Sequence, residues 1–206
     1  MTLTRLNVRI HPTADVADSA EIGEGTSIWH QCQIRENVRI GRNCILGKGV
    51  YVDFEIVLGD NVKVQNYVSI FHGVTIEDGV FIGPHVCFTN DNLPRAINPD
   101  GTLKAADDWV IGHITVRKGA ALGANATLLP KVTVGRWAMV GSGAVVTKDV
   151  PDYGLVVGNP AHLIGFACPC GRRLTEDHTH NDTVYARCAA CDTITEIPQV
   201  TWRQAQ

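Results

Sequence analysis

The sequence predicts an all-β chain, a parallel coil of short strands with one strand per six residues, followed by a small cysteine-bearing appendage. Three observations carry this. Apolar residues recur every six positions over most of the chain. Small or β-branched residues follow four places after each of them. Four of the seven cysteines are crowded between Cys168 and Cys191.

Stepping by six from Ile10 meets Val16, Ile22, Ile28, Ile34, Ile40, Leu46, Val52, Leu58, Val64, Ile70, Ile76, Ile82 and Phe88 without a miss. Their companions run from Ala14, Ala20, Thr26 and Cys32 to Val80 and Val86, and the pattern first fails at Asn92. It returns at Val110 and continues through Val116, Leu122, Leu128, Val134, Val140 and Val146. No amphipathic helix has period six, and a half-buried strand alone has period two. Two inward positions per six residues predict a short strand and a corner in each unit. Three units close a triangular coil of 18 residues, so the 21 units make about seven coils. At the spacing of paired strands, about 4.8 Å, the prism is about 30 Å tall.

Glycines support the corners. Gly23, Gly41, Gly47, Gly59, Gly83, Gly123, Gly135 and Gly141 each follow the large apolar residue. They are expected there for the backbone angles that a Cβ resists. The interruption at residues 89–109 holds Asn90, Asp91, Pro94, Asn98, Pro99, Asp100 and Gly101, a loop composition. Loops this long in a compact domain are often functional. The period stops after Val150, and cysteines, charges and histidines dominate from Phe166 onward. The expected division is a coil domain over 1–165 and a module over 166–206.

Composition narrows the function. A net charge of −3 and 19% charged residues give no reason to expect nucleic acid or an acidic membrane as partner. Met1 to Ile10 contains no apolar signal core, and no apolar run spans a bilayer. A cytoplasmic protein without membrane insertion is expected. An odd number of cysteines in paired spacing there favours metal over disulfides. Cys168 with Cys170, and Cys188 with Cys191, read as two knuckles of a structural zinc ribbon, although the first is C-x-C where C-x₂-C is usual. His178 and His180 lie between them as substitute ligands.

Residues 10–150 resemble the hexapeptide-repeat transferase superfamily. The resemblance implies a left-handed parallel β-helix, a homotrimer, and coenzyme A lying along the outside of the prism between subunits. Pro151 to Gly165 is similar to the segment that closes such helices beside the coenzyme cleft. By the same resemblance Gly141, Ser142, Lys148, Asn159 and Pro160 are the candidate acetyl-CoA contacts. A narrower likeness lies in Val62 to Ala96, where Gln65-Asn66, Glu77-Asp78, Phe88-Thr89-Asn90 and Pro94-Arg95 resemble nucleotide-linked 3-amino-sugar N-acetyltransferases. These include the UDP-2-acetamido-3-amino-2,3-dideoxy-glucuronate type of bacterial surface-polysaccharide synthesis. The implied activity is acetyl transfer from acetyl-CoA to the amine of a nucleotide-linked amino sugar. Asn66, Asp91 and Arg95 are then candidate substrate contacts, with Arg95 suited to a carboxylate or phosphate.

Other readings stay open: an O-acyltransferase, a zinc carbonic anhydrase of the same fold, or a non-catalytic scaffold. The anhydrase would gather histidines from adjacent coils. His30, His72, His85 and His113 are present, but the closely spaced pair of that subfamily is not.

Counting by 18 places His72 one coil from Asn90, each two residues after its inward apolar residue. Both therefore belong to one corner at the mouth of the long loop. His72 is the expected general base and Asn90 the group that orients the amine.

Overall fold

In the computed structural model, residues 7–105 and 108–205 are described. The reading of residues 1–6 lies outside them. Among the described residues, twenty-one parallel strands, from β1 (Arg9–Ile10) to β21 (Gly154–Val157), form three sheets. The first face takes every third strand from β1 to β19 (Met139–Val140) and is completed by β21; the second ends with β20 (Val145–Val146); the third ends with β18 (Thr133–Val134). Successive rungs pair 18 residues apart, as in Ile10↔Ile28 and Ile70↔Phe88.

The inward residues are those that the period selects. From Ile28 to Val150 they form one continuous buried core, with Ile10, Ala14, Val16 and Ile22 partly open at the N-terminal end. A core built from Val, Ile, Leu and Ala suits strands of two residues, whose side chains must meet across a narrow triangle. Polar companions satisfy themselves against the next coil. The hydroxyl of buried Thr26 donates to Gly41 O at 2.8 Å and accepts from the Cys44 amide at 2.9 Å.

The corner glycines have a different cause from the one expected. The left-handed backbone position comes two residues later, where Gly25 and Gly49 but also Asn37, Asn43, Asn61 and Asn125 have φ between 57° and 76°. Glycines directly after the apolar residue are required by close stacking. A Cβ on Gly41 would lie 2.5 Å from Gly59 O, and one on Gly123 would lie 2.4 Å from Ser142 N. Gly79, at φ +68°, has nothing within 4 Å of its Cβ position. Gly79→Ala should therefore cost about 1 kcal/mol, from the backbone angle alone. Gly41→Ala, which must push adjacent coils apart, should cost about 3 kcal/mol. Denaturant midpoints compare the two, and equal losses would contradict the stacking argument.

The second register begins later than the sequence suggests. Val110 is exposed, not inward, and the prism resumes with β15 (Ile114–Val116). Ile76 pairs with Val116, 40 residues on instead of 18, so the insertion holds 22 extra residues. It leaves the prism after β14 (Cys87–Phe88). Its root is fixed by an Asp91↔Ile111 bridge and by a Gly112 N–H donated to Asn90 O at 2.8 Å.

At the C-terminal end β22 (His162–Phe166) turns back antiparallel to β21. Three antiparallel strands follow, β23 (Thr175–His180), β24 (Thr183–Arg187) and β25 (Ile194–Pro198), then a short helix α1 (Gln199–Trp202). A second small core begins at Phe166.

Candidate active site at the root of the long loop

The corner after the second face repeats two outward positions per coil. Arg35, Asp53, Phe71, Thr89, Leu129 and Thr147 occupy the first, each one residue after an inward apolar side chain. Glu36, Phe54, His72, Asn90, Pro130 and Lys148 occupy the second. The long loop leaves the prism at this corner. Between the corner and the loop lies a cleft of about 650 Å³, lined by residues that include Phe71, Thr89, Asn90, Asp91, Trp109 and Thr147.

Asn90 and Asp91 thus share one cleft, as their positions in the sequence suggested. Asp91 carries the feature that stands out. One carboxylate oxygen, Oδ1, accepts the Leu93 amide at 2.9 Å. The other, Oδ2, is buried and has no hydrogen-bond partner among the described residues. A buried carboxylate oxygen without a donor is costly, so this one is suited to a cationic or N–H-bearing ligand.

His72 shares the corner but leans away. Its ring stacks on Phe54, one coil below, with centroids 4.2 Å apart, and Nδ1 lies 3.1 Å from Phe54 O. A carbonyl only accepts, so Nδ1 carries the hydrogen and Nε2 keeps the lone pair. Phe71, not His72, lines the cleft. Beneath it Asp53, 7% exposed, accepts from Arg35 Nη1 and Tyr51 OH at 3.0 Å each and from the His72 amide at 3.2 Å. Burial, with the Asp53 carboxylate beside it, raises the Tyr51 phenol above its usual range. Sequence reasoning passed over Asp53, though the same count of 18 leads from Thr89 through Phe71 to it.

The other candidate substrate contacts fall outside the cleft. Arg95 is exposed and donates to Pro94 O at 2.9 Å. Asn66 lies on a different corner, after the first face, where its Oδ1 accepts the Lys48 amide at 2.9 Å. It borders a separate groove with Trp29, His30, Lys48 and Lys63.

The five coenzyme candidates surround β20. Gly141-Ser142 precede it and Lys148 follows it. The Val145 amide donates to Gly158 O at 3.0 Å, and Val145 O accepts from Ala161 at 2.8 Å, which seats Asn159-Pro160 on the last rung. Lys148 directly follows Thr147 of the cleft and borders a smaller pocket with His162 and Gln204. Gly141 and Ser142 follow the first face, on the corner that holds Asn66, whereas Lys148 follows the second face, on the corner of Asn90, and none of the five lines the cleft itself.

The family described as bacterial transferase hexapeptide (six repeats) matches residues 19–53 and 55–90, and the hexapeptide repeat of succinyl-transferase matches residues 37–71. The 18-residue coils on three faces agree with those matches. Residues 19–90 are similar to the hexapeptide families, and the chain folds as a parallel coil of six-residue units. Among proteins of similar sequence, a dTDP-3-amino-3,6-dideoxy-alpha-D-galactopyranose 3-N-acetyltransferase of Aneurinibacillus thermoaerophilus is 48% identical over 63 residues, 31% of this chain and 33% of that one. The mitochondrial gamma carbonic anhydrase 2 of Arabidopsis thaliana is 29% identical over 176 residues, 83% of this chain and 50% of that one. The chain thus spans half or less of the length of these relatives. A solved GDP-perosamine N-acetyl transferase mutant from Caulobacter crescentus, with CoA and GDP-perosamine, superposes with a TM-score of 0.53 at 24% identity. It covers 78% of this chain and 58% of that one, a likeness of fold.

Proposed function

We propose that this protein is a cytoplasmic, acetyl-CoA-dependent N-acetyltransferase. Its substrate is the amino group of a nucleotide-linked amino sugar of the kind used in bacterial surface polysaccharides. The observation that carries this reading is Asp91, which lines the cleft beside Asn90 and whose buried Oδ2 has no partner among the described residues. An amine, protonated or neutral, is the ligand class that supplies N–H donors there. The stretch of 48% identity to a nucleotide-sugar 3-N-acetyltransferase supports the same substrate class. Sequence similarity extends to the carbonic anhydrase relative over 83% of this chain, so the repeats alone do not choose between the two activities.

Asp91 Oδ2 receives one amine N–H, and the Asn90 amide turns the nitrogen lone pair outward toward Thr147 and Lys148. Acetyl-CoA supplies the thioester, held by Gly141, Ser142, Lys148, Asn159 and Pro160. Orientation of this kind accounts for much of the rate gain in acyl transfer. His72 accepts the proton that the attacking nitrogen sheds. The thiolate of coenzyme A leaves as the carbonyl re-forms.

Asn66 and Arg95 do not line this chain's cleft, so their contribution to the sugar nucleotide comes from elsewhere. For Asn66, on another corner, a neighbouring copy is the natural source, which fits a homotrimer with sites between subunits.

Two measurements test the proposal. Nucleotide-linked 3-amino and 4-amino sugars are offered with acetyl-CoA while thiol release is followed. At least one should turn over, and its hydroxyl analogue should not. Turnover of the hydroxyl sugar alone would make the protein an O-acyltransferase. Light scattering should give the mass of three 22.3 kDa chains. A monomer that is fully active would overturn the shared site.

A further inference from the structure

The C-terminal module has little to hold it together. Its core consists of Phe166, Cys168, Leu174, Val184, Ala186, Cys188 and Ile197, and two of these seven are cysteines. Every residue of β23 is exposed. So small an apolar core does not sustain a fold of this size without a metal or cross-link.

The four cysteines converge instead. Their Sγ atoms all lie within 4.8 Å of one another, with Cys168–Cys191 and Cys170–Cys188 each at 3.5 Å. These are not disulfides, whose sulfurs stand about 2.05 Å apart. A tetrahedral zinc with Zn–S bonds of about 2.3 Å has sulfur–sulfur edges of about 3.8 Å, and the cluster brackets that size. Two tight turns aim the thiols inward. In the first, the Gly171 amide donates to Cys168 O at 2.7 Å with Gly171 at φ +86°, and the Cys168 amide donates to Arg172 O at 2.8 Å. In the second, the Asp192 amide donates to Cys188 O at 2.9 Å and the Cys188 amide to Thr193 O at 3.0 Å. The short C-x-C spacing works because Gly171 turns the chain at once. Neither histidine is needed. The His178 ring stacks on Tyr185 and its Nδ1 meets Asp177, on the exposed strand, and His180 ends that strand.

We infer that Cys168, Cys170, Cys188 and Cys191 form a closed structural zinc site, and that the metal-held module braces the coenzyme end of the prism. Trp202 of α1 stacks on Phe166 of β22 with centroids 5.0 Å apart and planes 11° apart. The Arg173 guanidinium bonds Ile164 O on the same strand. Gln204 borders the pocket that holds Lys148 and His162. Through these groups the ribbon fixes β22, which pairs with the terminal rung β21. The inference is independent of the acetyltransferase reading, because metal content and tertiary order are read without any substrate.

The test uses the full chain purified without chelators. Elemental analysis should give one zinc per chain, and titration with an organomercurial should release it to a chromogenic indicator. Cobalt replacement should give the charge-transfer and d–d bands of a tetrathiolate. Zinc well below one per chain, or iron in its place, overturns the assignment. Cys170→Ser and Cys191→Ser, at the two exposed positions, should each lower bound zinc several-fold, shift tryptophan emission toward that of solvated indole, and admit protease near Gly165. Full zinc occupancy in both variants would overturn it. If either fails to accumulate, the zinc and cobalt measurements on the unaltered chain decide. Loss of zinc with unchanged tryptophan emission and protease resistance would remove the bracing role.

Discussion

Asp91→Asn is expected to lower kcat for amine acetylation by about 10²-fold or more, the scale of a misplaced reacting group. It should leave the KM for acetyl-CoA near its original value. The substitution is isosteric, and its effect follows from the carboxylate's two unlike oxygens. Oδ1 accepts the Leu93 amide at 2.9 Å, while Oδ2 is buried and has no partner among the described residues. After substitution the amide oxygen keeps the Leu93 bond. The NH₂ group is then directed where Oδ2 stood, so a donor faces the donors of the substrate amine. The substitution keeps the shape of the side chain and its bond to the Leu93 amide at the loop root. The variant should therefore be as stable as the parent. A thermal scan and a steady-state assay on one preparation are enough. Full kcat with the amine would end the proposed role. Loss of activity together with a lower midpoint would make Asp91 a structural residue of the loop root.

Much of the fold was readable from periodicity, because each inward position of a two-residue strand meets the same narrow core. The period identified Thr26 as inward although it is polar, and its hydroxyl is satisfied between two coils. The period misled at Val110, an apolar residue that falls on the register by chance within the insertion. Only Ile114, Val116 and their pairing with Val74 and Ile76 show where the prism resumes. The glycines were placed correctly but explained wrongly, because sequence records a missing Cβ and not what it would strike. Asn90 and Asp91 were legible as polar residues at the loop root. Phe71, Leu129 and Thr147 were within reach of the same count once the 22-residue insertion is known. Trp109 comes from the insertion itself, which no repeat describes. Nothing in the sequence distinguishes Asp91's stranded oxygen from the satisfied carboxylate of Asp53.

His72→Asn tests the proton. If His72 is the general base, kcat should fall by about 10²–10⁴. The structure gives the imidazole its tautomer: Nδ1 faces Phe54 O at 3.1 Å, so Nε2 is the accepting nitrogen. It also gives the obstacle, since the ring stacks on Phe54 and Phe71 lines the cleft in its place. The substrate amine must therefore approach Nε2 from the Asn90 side when the sugar nucleotide is bound, a contact that forms on binding and not before it. Asn preserves a polar group of similar reach but cannot take a proton. The KM for acetyl-CoA should stay put in the variant. The main chain offers an internal check. The His72 amide bonds Asp53 Oδ2 at 3.2 Å, an interaction that the side-chain substitution spares. A drop in kcat with an unchanged melting midpoint is thus chemistry and not collapse of the corner. Should the variant keep nearly full kcat across neutral pH, His72 is a packing residue on Phe54, and the proton passes to Asp91 or to the substrate itself.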